Sequence, residues 1–303
     1  MTLLNLFVFT YRNLHNYKHI PFYVLSPLRY LVRFLANKIL PFWFKHTAIP
    51  SRRPMTDVIV SFTSFPARIN NVWQVVECMM RQTIMPQKII LWLSKEQFPT
   101  RESIPISLRN RENDFFEIRM VDGNIKSHKK YIYVCEEYPN NPILLIDDDI
   151  YYHTNFLKDL YQEYQKNKGV VCYYCFKMAY DKQGNLLPYN CWTEIEYERS
   201  ESNNLFFGSG GGIIFTPSML YKDVTNAKIA TQLTPLADDI WLNAMARLGN
   251  QKILKIKSGL HMPIIQGANN TNLFSANVSD GGNDVQIQAI NKYYKDKLNK
   301  IIF

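Results

Sequence analysis

The chain has 303 residues, 47% hydrophobic and 20% charged, which excludes a disordered polymer and allows one large α/β domain or two small ones. Its net charge of +9 is unevenly placed: residues 1–56 hold eight basic side chains (Arg12, Lys18, Arg29, Arg33, Lys38, Lys45, Arg52, Arg53) and no Asp or Glu, against 27 basic and 26 acidic residues in the rest. That distribution argues against a nucleic-acid-binding domain and for a polyanionic surface such as anionic lipid opposite the N-terminal segment.

In "LSPLRYLVRFLANKILPFWF", residues 25–44, Ser26 and Pro27 signal a helix start. Leu28, Leu31, Val32, Leu35 and Ile39 recur at helical spacing, and Arg29, Arg33 and Asn37 recur on another face. Pro41 is expected to stop the helix before the aromatic cluster Phe42-Trp43-Phe44. A basic amphipathic helix with an aromatic end has the profile of an element lying in a membrane interface. The plainer reading is a helix packed on its own domain with its charges in water. Residues 1–55 are therefore expected to form a membrane-surface segment, with "PSRRP" (50–54) as linker, ahead of a catalytic domain over residues 56–303.

From residue 57 strands and helices alternate. "DVIVSFTS" (57–64), "KIILWLS" (88–94), "FFEIRMVD" (115–122), "PILLID" (142–147), "GVVCYYCF" (169–176) and "GGIIFT" (211–216) read as strands. "NNVWQVVECMMRQT" (70–83), "HKKYIYVCEEY" (128–138) and "DDIWLNAMARLG" (238–249) read as helices. The alternation predicts an α/β fold with a mostly parallel central sheet and its ligand at the carboxyl ends of the strands. Cys172 and Cys175 make a C-x-x-C without a turn to aim two thiolates at one zinc; with Cys78, Cys135 and Cys191 they read as free thiols. No signal-peptide pattern and no bilayer-length apolar run is present, so a cytoplasmic, peripheral location is expected and the sequons at Asn269 and Asn277 are read as chance.

"NPILLIDDDIYY" drives a buried strand into Asp147, Asp148 and Asp149. Three adjacent like charges raise one another's pKa unless a cation intervenes. A solvated acidic turn is one explanation and a divalent cation held by oxygen ligands is the other. Asp147 and Asp149, two apart in an extended chain, project the same way, which makes Asp148 the spacer and the most replaceable of the three. "GSGGG" (208–212) is not a P-loop, because no Lys-Ser/Thr follows and a strand comes next. Its lack of side chains lets backbone approach a ligand closely.

In ordered combination, "VSFTSFPARI…QTIMPQKIILWLS", "IKSHKKYIYVCEEYP", "ILLIDDDIYY", "FFGSGGGIIFTP" and "PLADDIWLNAMARLG" resemble GT-A-fold glycosyltransferases, specifically bacterial family-2-like enzymes of capsule or lipopolysaccharide synthesis. The resemblance spans residues 57–249 and implies a single GT-A (Rossmann-like) catalytic domain. It implies a nucleotide-sugar donor, UDP-linked, bound through Mn²⁺ or Mg²⁺ to an Asp-x-Asp, with Asp149 and Asp147 as metal ligands and His261 as an additional one. Thr63, Ser64, Arg68, Asp122, Lys129, Asp147 and Asp148 fall where the family holds the donor nucleotide. Gly210, Gly211 and Gly212 fall where it faces the transferred sugar and acceptor. Asp238 and Asp239 match its acidic pair, with Asp239 the expected base of an inverting transfer to a glycan or lipid-linked acceptor; Asp stands where Glu is common first, which leaves the choice between the two open. "QGANNTNLFSAN" (266–277) is expected to close over the donor. Two other readings stay open: a nucleotidyltransferase, against which the glycine-free "SFTSFPARI" counts, and a non-catalytic membrane-surface scaffold.

Overall fold

A computed structural model describes residues 1–16, 21–195, 197–257, 261–266 and 281–303. Helices α1 (Leu3–Asn16) and α2 (Phe22–His46) precede strand β1 (Ile59–Thr63). Then α3 (Trp73–Met80), β2 (Lys88–Ser94), α4 (Ile106–Arg109), β3 (Phe116–Val121), α5 (Lys129–Glu137), β4 (Ile143–Leu145) and α6 (Phe156–Asn167) follow. Five short strands come next: β5 (Val170–Cys172), β6 (Cys175–Lys177), β7 (Thr193–Glu194), β8 (Ser200–Ser202) and β9 (Leu205–Phe207). Strand β10 (Ile213–Phe215), helices α7 (Ala227–Leu233) and α8 (Asp238–Leu248), strand β11 (Ile253–Lys255) and helix α9 (Gly282–Leu298) complete the order. The expected α/β class with a large, mostly parallel sheet is what forms. Eight strands run in the order β3-β2-β1-β4-β10-β5-β11-β8, with β10 antiparallel to both neighbours, and β7-β6-β9 make a small second sheet.

Continuous apolar runs explain the central strands. In β2 only Lys88 is not buried, because helices cover both faces of a parallel sheet. Side chains alternate between two cores: Val60, Phe62, Leu144 and Ile146 face one, and Ile59, Ile143 and Leu145 face the other. Because β10 runs antiparallel to β4, with Ile213 opposite Leu145, its start lies at the same edge as the end of β4. The aspartate triplet and the glycine loop therefore meet there.

Two expectations are corrected. Residues 169–176 are not one strand, since β5 ends at Cys172 and the chain crosses to the second sheet through Tyr173 and Tyr174. Cys172 and Cys175 stay free and buried. Helix α2 also runs through both Pro27 and Pro41 to His46. An interior proline costs about 3 kcal/mol, but burying Leu40 and Phe44 contributes about 1.5–3 kcal/mol each. The buried Arg81 guanidinium then donates to the carbonyls of Phe44, Thr47 and Ala48, satisfying the far end.

The N-terminal helices share the domain's core. Leu4, Val8, Ala36, Leu40 and Phe44 belong to the same apolar cluster as Val60 and Leu144. Asn5 exchanges two hydrogen bonds with Thr154, through its Nδ2 at 2.8 Å and its Oδ1 at 2.9 Å.

Candidate active site

The end of β1, the turn after β4, the loop before β10 and the first turns of α5 and α8 converge at one edge of the sheet. Each aspartate of the triplet meets a protein cation. The Ser64 hydroxyl donates to Asp148 Oδ2 at 2.5 Å, and Arg68 Nη1 reaches Asp148 Oδ1 at 2.9 Å and Asp149 Oδ2 at 2.8 Å. Lys130 Nζ lies 3.1 Å from Asp147 Oδ1 and 2.8 Å from Asp238 Oδ2. Asp148 is thus the most engaged of the three and its side chain is 7% exposed. The alternation argument for Asp148 as a replaceable spacer fails because β4 ends at Leu145, and the aspartates sit in a turn that aims Asp148 at Ser64 and Arg68.

Burial, reinforced by the charges of Asp147 and Asp148, pushes the Asp149 carboxyl up to about 7 despite Arg68. Desolvation likewise raises Asp148 above the usual carboxylate range, against the pull of Arg68 and Ser64. Lys130 is buried, which alone lowers an ammonium's pKa, but Asp147, Asp238 and Asp239 outweigh burial and hold it protonated.

The glycine loop is shaped by what it packs against. A Cβ on Gly210 would stand 1.8 Å from Asp147 Oδ2. Gly212 has φ +103, and a Cβ there would stand 2.2 Å from Phe156 Cζ. The Tyr152 hydroxyl accepts the Asp147 backbone N–H at 2.8 Å and donates to the Gly210 carbonyl at 2.7 Å. Beside it, the Ser209 backbone N–H donates to Asp239 Oδ1 and its hydroxyl to Asp238 Oδ2, both at 2.8 Å. Burial would raise Asp238, but Lys130, His128 and Ser209 hold it down at about 2. Burial and the charge of Asp238 push Asp239 up to about 7. One aspartate stays ionised and its neighbour titrates near neutrality, the split that separates roles in a pair of carboxylates.

Other expected site residues lie elsewhere or make different contacts. Thr63 donates its hydroxyl to the Trp92 carbonyl at 2.8 Å. Asp122 is exposed and pairs with Lys95 at 2.9 Å. Lys129 is buried, donates to Asn124 Oδ1 at 2.8 Å, and is lowered to about 8 by desolvation. Lys130, one residue on, reaches the carboxylates instead. His261 stacks on His15 with centroids 4.0 Å apart, and its Nε2 lies 3.7 Å from Glu194 Oε1. Among the described residues no group of three or more His, Cys, Asp or Glu is placed to hold a metal ion, so His261 is not gathered with Asp147 and Asp149 into one ligand set. Of the expected closing loop, residues 267–277 lie outside the described residues, as do both sequons. Tyr152 and Ser209 are the residues that sequence reasoning passed over. Only the position of Ser209 beside the glycines and of Tyr152 after the triplet hinted at them.

No protein-family model matches the chain, and no curated protein matches it. Solved structures that resemble it include a UDP-glucose pyrophosphorylase complexed with UDP-glucose, at 14% identity and TM-score 0.40, covering 81% of this chain and 100% of that one. A 4-diphosphocytidyl-2C-methyl-D-erythritol synthase from Anaerococcus prevotii matches at 12% identity and TM-score 0.43, covering 77% and 96%. HddC from Yersinia pseudotuberculosis complexed with GMP-PN matches at 12% and 0.34, covering 55% and 78%. None of these three is named as a glycosyltransferase, and likeness at this level says nothing about the reaction this chain performs.

Proposed function

We propose that this protein is a glycosyltransferase that moves a sugar from a nucleotide-sugar donor, UDP-linked, to a glycan or lipid-linked acceptor of bacterial surface polysaccharide, with inversion. One observation carries the reading. A single glycine turn has Asp147 packed against Gly210 on one side and Asp239, bonded to Ser209, on the other. A carboxylate able to hold the cation of a donor diphosphate and a carboxylate suited to the acceptor hydroxyl thus meet at one glycine turn.

In this reading Lys130 keeps Asp238 ionised, and the charge of Asp238 keeps the proton affinity of Asp239 high. Asp239 then takes the proton of the acceptor hydroxyl as its oxygen bonds the anomeric carbon. The bond from that carbon to the diphosphate breaks, and the diphosphate leaves with the electron pair. Asp147 and Asp149, 40% and 22% exposed at the side chain, offer the oxygen donors that Mn²⁺ or Mg²⁺ takes. When bound, such a cation supplies charge stabilisation to the leaving diphosphate. Arg68 and Ser64 fix Asp148 and hold the turn in place.

The test is a panel of nucleotide sugars, scored by protection against thermal unfolding with and without Mn²⁺. One donor is expected to stabilise in a metal-dependent way, and Asp149→Ala to lose that response while remaining folded. Formation of a nucleotide sugar and diphosphate from a nucleoside triphosphate and a sugar 1-phosphate, with no transfer from the stabilising nucleotide sugar to an acceptor, would assign the site to nucleotidyl transfer instead. Silence from every nucleotide would overturn both.

A further inference from the structure

Helix α2 has two faces of different character. One buries Leu25, Ala36, Leu40 and Phe44 against the domain. The other, at spacings of three and four residues, leaves large apolar side chains in the open: Tyr23 is 76% exposed, Tyr30 59% and Phe42 65%, with Leu31, Phe34 and Leu35 between them. Single exposed hydrophobics are ordinary, but a continuous row along a 25-residue helix is an interaction surface.

Charge says what covers it. Lys38 and Lys45 lie on this same face by helical phase and are themselves exposed. Lys38 Nζ sits 5.7 Å from the Phe34 ring centroid, so its ammonium lies over an aromatic side chain of this face. No acidic side chain occurs from residue 1 to residue 56 to repel an anionic partner. No described helix is long and apolar enough to cross a membrane, so this one has the make-up of an element that lies on a bilayer without spanning it.

We propose that the exposed face of α2 lies in the interface of an anionic phospholipid bilayer, parallel to its plane, with Lys38 and Lys45 on lipid phosphates. The buried face then carries the membrane's position to the aspartate triplet. Asn37 donates to the Ile264 carbonyl at 3.0 Å and accepts the Gln266 N–H at 2.7 Å, and the Ile265 N–H bonds the Asp149 carbonyl at 2.6 Å. A helix lying on lipid is thus one hydrogen-bonded segment from the candidate site. The docking does not rest on the glycosyltransferase reading and is measured without any substrate.

The experiment is cosedimentation of the full chain with vesicles of phosphatidylcholine and phosphatidylglycerol, and with vesicles of phosphatidylcholine alone. Binding to the anionic vesicles is expected, weakening with added salt and weaker on the neutral ones. The double variant Leu31→Glu/Phe34→Glu changes exposed positions, so its thermal midpoint should match the parent while vesicle binding drops at least about tenfold. Lys38→Glu/Lys45→Glu should lose about tenfold on anionic vesicles only. Absence of binding to either vesicle, or binding that both variants leave intact, overturns the proposal. So does a concentration-dependent dimer that Leu31→Glu/Phe34→Glu abolishes, since a second copy would then cover the face.

Discussion

Asp239 joins a chemical role to a stability cost. Its carboxyl is raised to about 7 by burial and by Asp238, so as a base it is largely protonated and idle at pH 6. Sugar transfer should therefore rise with pH through about 7, and Asp239→Asn should lower kcat by about 10²–10⁴-fold and remove that limb of the profile. The same shift bears on folding. A raised carboxyl favours the folded state most below its unfolded value near 3.8, and that contribution is lost as pH rises through the folded value of about 7. Asp239→Asn should consequently unfold at a higher temperature than the parent at pH 8, although it is the less active protein. Burial raises Asp148 as well, but its replacement acts through lost hydrogen bonds. Asp148→Ala removes hydrogen bonds from Ser64 and Arg68 and should destabilise by about 2 kcal/mol in chemical denaturation. Asp122→Ala, which breaks an exposed pair with Lys95, should change stability little.

The glycine loop is the element whose substitution separates fold from site. Gly210→Ala puts a methyl group where Asp147 Oδ2 now lies. We expect transferase activity to fall at least about tenfold while thermal stability drops by about 1–3 kcal/mol, the usual range for an inserted methylene that neighbours accommodate by shifting. Elements of this kind differ in how far the sequence reveals them. The apolar runs of β1, β2 and β4 announce buried strands, and a strand ending in charge announces the edge of the sheet where the site lies. The 2- and 3-residue strands β6 to β9 carry no such period. Lys129 and Lys130 look alike in sequence, yet a 100° step around α5 sends one to Asn124 and the other to two aspartates. Pro41 looks like a terminator because its local penalty is visible, whereas the offsetting burial of Leu40 and Phe44 depends on the tertiary structure.

At the scale of the molecule, the basic N-terminal segment is part of the core as well as a candidate docking surface. Deleting residues 1–50 removes Leu4, Val8, Ala36, Leu40 and Phe44 from the cluster shared with the central sheet. It also leaves Arg81 without its Phe44, Thr47 and Ala48 carbonyl partners. The truncated chain should lose its cooperative thermal transition; recovery of a stable, cooperatively unfolding fragment would show that the sheet folds without the helices. The Tyr152 hydroxyl has a consequence for variation within the fold. It ties the Asp147 backbone to a glycine carbonyl 58 residues from the tyrosine, so neither loop can be repositioned without moving the other. Substitutions at the two loops should then show strong epistasis, with paired changes tolerated where single ones are not, and Tyr152→Phe should bring their effects closer to additive.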